Sequence, residues 1–445
     1  MRYLSRARLR GLWFGVGLAV FLIALPACSQ TIDPALAHQY FQEADAICKK
    51  DNGRLWGVSL CGPMIFADPE SRAVVANQQD QGGQLSPTNG VYSGKLPESV
   101  GIANTAIQWS GVEWTMVMWP MPEFRQPRTR LLLHECFHRI QSKIGLSPKD
   151  SSNNHLDTRD GRIWLQMEWR ALERAIWSQG PTRYKAIADA LYFRAYRRSL
   201  FPGAAASENA LELNEGLAEY TGVKLSSQSP EEFAMLADST LRQAPDRHPN
   251  FVRSFAYDSG PAYGFLLDVT GDNWRRGITL QSDLGQLLAR AYAVHVPEVG
   301  QEQAAQRARF YDGDEVIALE TRRDRDRQAK LADARKRFVD GPVLILPVGS
   351  QFNYGFDPNN VVGIDESSTV YLGSAQVSDT WGVLKAANGF MLVRQSGRVV
   401  RVQVPAPSDA NARPLQGDGW TLDLEKGWTT RAGDRQGDVV LQQAH

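Results

Sequence analysis

Histidine is one of the residues that this chain has little of, with 7 among 445 residues. A surplus of charge of either sign is also lacking, because 49 basic residues balance 49 acidic ones. No basic stripe and no long tail of one sign stands out along the chain. These absences exclude the electrostatic footprint of a nucleic-acid-binding protein, so we expect no nucleic acid among its partners.

Long hydrophobic runs are scarce too. The uncharged apolar run at residues 12–25 follows four arginines and is too short to favour a membrane-spanning helix. The first 27 residues are therefore typical of a signal peptide. The sequence Leu-Pro-Ala-Cys at residues 25–28 resembles a bacterial lipobox, which predicts a periplasm-facing lipoprotein anchored through a lipidated Cys28. Cleavage after Ser29, which would give a soluble periplasmic protein, is the alternative.

Cysteine is sparse, with four in the whole chain. Cys28 is the residue expected to carry the lipid. Cys48 and Cys61 have 12 intervening residues, and an oxidising periplasm would allow them to form a disulfide. Cys136 falls within an apolar helical pattern, where we expect a small buried side chain.

Two of the few histidines stand four positions apart in His-Glu-Cys-Phe-His at residues 134–138. The flanking apolar residues recur at helical spacing, and on a helix positions i and i+4 lie on one face. Both imidazoles can then reach one metal ion. Glu135 follows the first histidine, where a carboxylate can take a proton from a water that the metal activates. We predict His134 and His138 as metal ligands and Glu135 as the general base.

A catalytic zinc site needs a third protein ligand and an open position for water. The segment at residues 211–220 offers Glu212, Glu215 and Glu219, which an α-helix would place on one face at i, i+3 and i+7. His155 and Asp157, in a polar stretch between the two motifs, are rival ligands.

The two motifs together resemble the gluzincin metallopeptidases. They are His-Glu-x-x-His at residues 134–138 and Asn-Glu-Gly-Leu-Ala-Glu-Tyr at residues 214–220. The second is similar to the Asn-Glu-Gly-x-Ala segment of the aminopeptidase N-like family. The Gly-x-Met-Glu-Asn strand with which aminopeptidases bind a free N-terminus is absent. The resemblance therefore implies the zinc chemistry and not the aminopeptidase specificity.

The resemblance also implies a role for each matching residue. His134, His138 and Glu215 would hold Zn²⁺, Glu135 would be the general base, and Glu219 would hydrogen-bond a ligand histidine from behind. Glu215 lies much farther downstream than in these relatives, so the intervening residues are predicted to be a helical insertion. A metzincin would have a third histidine soon after the second, and this chain does not.

Two further features of gluzincins suggest positions in this chain. A Tyr or His downstream of the glutamate ligand donates to the oxyanion, and the candidates are His248, Tyr257 and Tyr263. We favour Tyr263, because Pro261 and neighbouring glycines would place it at a helix start near the cleft. An edge strand beside the zinc helix holds the substrate backbone, and by analogy residues 113–119 form that strand, with an interior strand as the alternative.

The distribution of turn residues and periodic segments predicts an α+β fold. It would combine an antiparallel sheet with a helical zincin-like catalytic domain, followed by a C-terminal all-β domain, a sandwich or a barrel. The predicted divisions are a signal peptide (1–27), a mainly β part (28–125), a helical metallopeptidase part (126–300), a charged helical linker (301–341) and a β domain (342–445).

These features predict an exported zinc-dependent metallopeptidase that acts on a peptide or protein substrate. The alternative is a zinc-binding envelope lipoprotein that acts in binding or assembly without peptidase activity. A hydrolase of some other amide would use the same residues.

Overall fold

The computed structural model describes residues 32–97, 99–147, 152–355, 361–365 and 367–444. The predicted signal peptide and Cys28 lie outside the described residues, so export and lipidation stay predictions. No helix in the described ranges combines the length and the apolar character needed to cross a lipid bilayer.

Helices dominate the middle of the chain. The α-helices are α1 (Pro34–Asp51), α2 (Arg125–Gln141), α3 (Arg159–Trp177), α4 (Gly180–Leu200), α5 (Ala204–Leu211), α6 (Leu217–Ser226), α7 (Pro230–Arg247), α8 (Phe255–Asp268), α9 (Leu284–Ala291), α10 (Gln301–Ala308) and α11 (Gly313–Arg335). Single 3₁₀ turns span Ser142–Ile144, Asn154–Asp157, Trp274–Gly277 and Arg309–Tyr311, and π turns span Glu212–Gly216 and Lys336–Asp340.

Strands lie on both sides of this helical part. The N-terminal ones are β1 (Met64–Ala67), β2 (Ala73–Ala76), β3 (Ser86–Thr88), β4 (Val91–Lys95), β5 (Thr105–Trp109) and β6 (Val112–Met118). The C-terminal ones are β7 (Val343–Pro347), β8 (Asn353–Gly355), β9 (Val361–Gly363), β10 (Ser368–Tyr371), β11 (Ala375–Asp379), β12 (Gly382–Ala386), β13 (Phe390–Gln395), β14 (Arg398–Pro405), β15 (Leu415–Gly417), β16 (Trp420–Leu424), β17 (Trp428–Ala432) and β18 (Val439–Gln443). The predicted α+β class is confirmed.

The N-terminal sheet has the strand order β3-β4-β2-β1-β6-β5. Strand β1 is parallel to β6, and the other pairs are antiparallel. Alternate residues of β1 face two cores: Phe66 packs with the helices and Ile65 with a smaller cluster on the other face. Burial on both faces explains why this short strand is apolar throughout.

The prediction that residues 113–119 form an edge strand is wrong, and the alternative of an interior strand is confirmed. Residues 113–119 correspond to β6, which lies between β1 and β5 in the sheet. The strand at the edge beside α2 is β5. Both strands have β-type patterns, and the pairing order depends on packing that the local sequence does not encode.

Residues 52–58, which lie between α1 and the N-terminal sheet, form turns and bends. Gly53 and Gly57 adopt positive φ angles of 72° and 76°, which favour glycine and end α1 in a tight reversal. The predicted Cys48–Cys61 disulfide is present and closes this reversal onto α1. Cys136 is a free, buried thiol, and burial raises its pKa to about 11, which leaves it unreactive near neutral pH.

The helical part is built around α2, which packs on β5 and β6, on α1, and most extensively on α6. The stretch between the two motifs forms the paired helices α3 and α4, so its predicted helical character is confirmed. The glutamates were expected on one face of an α-helix, and that expectation is wrong for Glu212. The π turn at Glu212–Gly216 changes the angle between successive side chains, so Glu215 and Glu219 face α2 while Glu212 turns towards α4.

The C-terminal strands form two sheets, β17-β18-β7-β14-β13-β10-β9 and β15-β16-β12-β11-β8. Side chains from both sheets share one core, including Leu392 and Val402 from the first and Leu384 and Leu422 from the second. The all-β region is therefore a sandwich. Helix α11 lies along α3, and Phe338 after it packs under the first sheet.

Candidate metal centre

Two elements bring the predicted ligands together. Helix α2 supplies His134 and His138, and the π turn between α5 and α6 supplies Glu215. The Nε2 atoms of the two histidines are 3.1 Å apart. Glu215 Oε2 lies 3.4 Å from the Nε2 of His134 and 3.3 Å from that of His138. These donor atoms are close enough for one ion to contact all of them, so the three residues form a potential metal-binding group.

The outer nitrogen of each imidazole has its own partner. His134 Nδ1 donates to Glu219 Oε2 at 2.6 Å, and His138 Nδ1 donates to Gln141 Oε1 at 2.9 Å. Arg130 forms an ion pair with the other oxygen of Glu219. With a proton held on each Nδ1, the Nε2 atom of each ring points at the shared centre, which is how histidine ligands are oriented.

Buried charge makes this centre favourable for a cation. Burial opposes a charge on His134, but hydrogen bonds to Glu215 and Glu219 outweigh it and raise the pKa of His134 to about 10. Burial would raise the pKa of Glu215, yet hydrogen bonds with His134 and His138 hold it well below its ordinary value. Burial acts on Glu219 in the same direction and is outweighed by Arg130, which lowers its pKa. Glu215 and Glu219 thus stabilise positive charge at the centre, whether a proton or a metal ion carries it.

Glu135 stands beside the ligands without joining them. Its Oε1 lies 4.0 Å from His134 Nε2, and its buried Oε2 has no hydrogen-bond partner within the described part of the chain. Burial raises the pKa of Glu135, and the charges of His134 and His138 act in the opposite direction. An unpartnered carboxylate with a raised pKa is suited to accept and return a proton.

The centre opens into a cleft of about 740 Å³. Helix α2 and the π turn form its floor, and residues 104–106 at the start of β5 line one side. Glu113, Arg247 and Tyr257 are also among the lining residues. The edge strand of the N-terminal sheet therefore borders the candidate centre.

Tyr257, one of the three tyrosine and histidine candidates, lies at the centre. Its ring stacks on His134 with centroids 5.4 Å apart and an interplanar angle of 7°. Burial is the main cause that raises its pKa, reinforced by the charge of Glu215 and a hydrogen bond to it. The hydroxyl therefore stays protonated and can donate a hydrogen bond.

The preference for Tyr263 is wrong. Its side chain is fully buried, and its hydroxyl donates to Glu168 Oε1 at 2.7 Å, behind the π turn. Both tyrosines lie on α8, but a separation of six residues puts them on different faces. His248 is not at the cleft either, since its Nε2 lies 3.4 Å from Asp258 Oδ2.

The rival third ligands are occupied elsewhere. His155 Nε2 lies 2.8 Å from Glu208 Oε1, and Asp157 Oδ1 forms an ion pair with Arg323 at 2.6 Å. The sequence interpretation missed Arg130 and Gln141. Their spacing was a usable signal, because they lie four residues before His134 and three after His138, on the ligand face of the helix.

Comparison of the chain with models of known protein families, with curated proteins and with solved structures finds no match.

We expect Glu215→Ala to weaken metal binding by more than about 10–100-fold, which is the typical cost of removing a residue that only hydrogen-bonds a metal ligand. The reason is that the π turn brings one carboxylate oxygen within 3.4 Å of both imidazole nitrogens. Metal content and Zn²⁺ affinity of the purified variant measure this. His155→Ala and Asp157→Ala are the matched controls and should bind as wild type does. Metal retained by Glu215→Ala would move the third ligand to another residue.

Zn²⁺ affinity should rise with pH, by about tenfold per unit between about pH 6 and 9. The sign follows from His134, whose pKa of about 10 means that it holds a proton throughout this range and must release it to bind a cation. Titration against a competing chelator at several pH values measures the slope. Glu219→Gln removes a carboxylate that stabilises the proton on His134. The rise of Zn²⁺ affinity with pH should therefore flatten in this variant towards the alkaline end of the range. A wild-type affinity independent of pH would contradict this account.

Proposed function

We propose that the chain is a zinc-dependent peptidase that hydrolyses peptide bonds in the cleft between α2 and β5. The observation that supports it best is the combination of a three-donor group with a buried, unpartnered carboxylate beside it. Donors alone would fit a structural metal, whereas Glu135 adds the proton acceptor that hydrolysis requires.

The donor set suits zinc. Two imidazole nitrogens and one carboxylate are the ligands that Zn²⁺ takes in catalytic sites, where a fourth position stays open. A tetrahedral ion with ligand distances of about 2.0–2.1 Å would hold its ligands about 3.3–3.4 Å apart. The observed separations of 3.1, 3.3 and 3.4 Å fit this spacing.

Each residue of the centre then has a task. Bound Zn²⁺ would lower the pKa of a water and polarise the carbonyl of the substrate. Glu135 takes the proton of the attacking water through its unpartnered oxygen and returns it to the leaving amine. Glu219 and Gln141 keep the proton of each imidazole on Nδ1. Tyr257 donates its hydroxyl to the substrate oxygen as negative charge develops there.

The substrate is an extended peptide in this proposal. Strand β5 pairs with β6 on one side only, and its other edge meets no strand among the described residues. An exposed edge can bind an extended backbone by strand addition, with side-chain pockets alternating along it. Residues 104–106 of this edge line the cleft, which would place a bound backbone next to Glu135.

An extracytoplasmic location fits the Cys48–Cys61 disulfide, because disulfides persist in oxidising compartments. A non-catalytic zinc protein of the envelope remains the rival function. It gives no reason for the buried oxygen of Glu135 to lack a partner, since a structural site normally closes its fourth position with a further residue.

Glu135→Gln should abolish peptide hydrolysis while Zn²⁺ binding stays close to wild type, because the amide cannot accept the proton. Turnover of a mixed peptide library and Zn²⁺ affinity are measured on the same preparation. Glu43→Gln is the control: it makes the same chemical change at the ion pair with Arg128, at the start of α2. A Glu135→Gln protein that keeps most of its activity would rule out the mechanism.

At saturating Zn²⁺, Tyr257→Phe should lower kcat about 10²–10³-fold, because one oxyanion donor is removed. Tyr263→Phe, on the same helix, is the matched control. It should lower kcat far less than Tyr257→Phe does, and it should lower the free energy of unfolding by about 1–3 kcal/mol, since buried Glu168 loses a hydrogen bond. Kinetics and thermal unfolding of both variants separate these effects. Equal loss of kcat in the two variants would contradict the assignment of Tyr257.

A further inference from the structure

A cluster of buried charges lies behind the π turn, on the side away from the cleft. It joins side chains from α3, α4, α5, the π turn and the residue before α9. Its members are Glu168, Arg194, Arg197, Arg198, Glu208, Glu212 and Asp283. None of them touches the candidate metal ligands directly, and the proposed reaction does not use them.

Two ion pairs of this cluster reach Glu212 in the π turn, a close one from Arg194 and a longer one of 3.9 Å from Arg198. Arg194 donates to both oxygens of Glu212, from Nη1 at 2.7 Å and from Nη2 at 2.5 Å. Both side chains are almost fully buried, with 4% and 1% of their surface exposed. A two-pronged contact between a planar guanidinium and a carboxylate fixes orientation as well as distance.

Arg194 is itself held from several directions. Its other partners are Glu168 Oε1, Asp283 Oδ1 and Asn209 Oδ1, each at 3.3 Å. Glu168 is fixed in turn by Tyr263 at 2.7 Å and by Arg197 at 2.5 Å. The guanidinium is therefore a rigid anchor on the paired helices α3 and α4.

The backbone of the π turn is clamped from another side. A Cβ added at Gly260 would come within 2.2 Å of the Gly216 carbonyl oxygen, so α8 touches the turn directly. Glu212 begins the turn, Glu215 lies within it and Gly216 ends it. With Glu212 fixed at one end and Gly216 at the other, the direction of the Glu215 side chain is determined.

We propose that Arg194 and Glu212 are positioning residues, whose ion pair fixes the π turn so that Glu215 points at the two histidines. The inference rests on the metal site of the proposed function. A wide turn inside a helix could relax to regular α-helix, which would rotate Glu215 away from the centre. A buried ion pair is a poor source of net stability, but it favours one arrangement, because any other would leave both charges unpaired.

The test compares two conservative variants that make the same chemical change. Glu212→Gln keeps the shape of the side chain and removes the charge that Arg194 holds. Glu320→Gln is the matched control, since Glu320 is a buried glutamate that accepts from Arg162 Nε at 2.7 Å and Gln166 Nε2 at 2.6 Å. This control pair joins α3 to α11 and does not reach the π turn.

Three quantities are measured on the full chain: Zn²⁺ affinity by chelator competition, the visible absorption spectrum of the Co²⁺-loaded protein, and thermal unfolding without metal. Glu212→Gln should weaken Zn²⁺ binding about tenfold or more and alter the Co²⁺ bands, which report the ligand geometry. Glu320→Gln should leave the Zn²⁺ affinity and the Co²⁺ spectrum unchanged, even if it lowers the unfolding temperature as much as Glu212→Gln does. Arg194→Lys, which keeps the charge but not the two-pronged contact, should give an intermediate affinity.

Zn²⁺ affinities and Co²⁺ spectra that are the same in wild type and Glu212→Gln would overturn the positioning role. An equal loss of affinity in Glu320→Gln would do so too, because it would trace the effect to general destabilisation. Wild-type hydrolysis is measured separately. A wild type that binds Zn²⁺ but cleaves no peptide contradicts the proposed function, while the two affinities still decide the role of Arg194 and Glu212.

Discussion

Mutual charge compensation in a buried pocket is the constraint on which the centre depends. Two imidazoles share it with Glu135, Glu215 and Glu219, all less than 10% exposed apart from His138. Water cannot screen these groups, so each carboxylate must meet positive charge or take up a proton. Glu215 and Glu219 have positively charged partners, whereas Glu135 is left with a raised pKa. The carboxylates that can stabilise a cation are therefore distinct from the one that can exchange a proton.

The surrounding fold supplies what that pocket needs. The six-stranded sheet supports α2 from one side and offers its free edge to the cleft, while α6 covers the other side. Tyr257 covers His134 with its ring, and its neighbour on the same helix, Tyr263, joins the charges behind the π turn. One helix thus contributes to both faces of the turn, the face that meets the cleft and the face that is anchored.

The proximity of His134 and His138 could be predicted from the sequence, because helical spacing places positions i and i+4 on a common face. The α+β class was equally local in origin, because it followed from turn residues and periodic segments. The π turn was not predictable, since nothing in residues 211–220 distinguishes it from regular helix, and its consequence for Glu212 was missed. The choice between Tyr257 and Tyr263, and between β5 and β6 as the edge strand, depended on contacts between elements distant in the chain.

The two halves of the centre come from segments that helices α3, α4 and α5 separate along the chain. Gln141 Nε2 donates to the Leu213 carbonyl oxygen across 72 positions of the chain. Contacts of such long separation form late, because a large loop must close before they contribute any energy. A nascent chain would therefore present the two histidines long before the carboxylate arrives, and the three donors would come together only after α3 and α4 have docked. Completion of the centre would thus mark completed folding of the helical part.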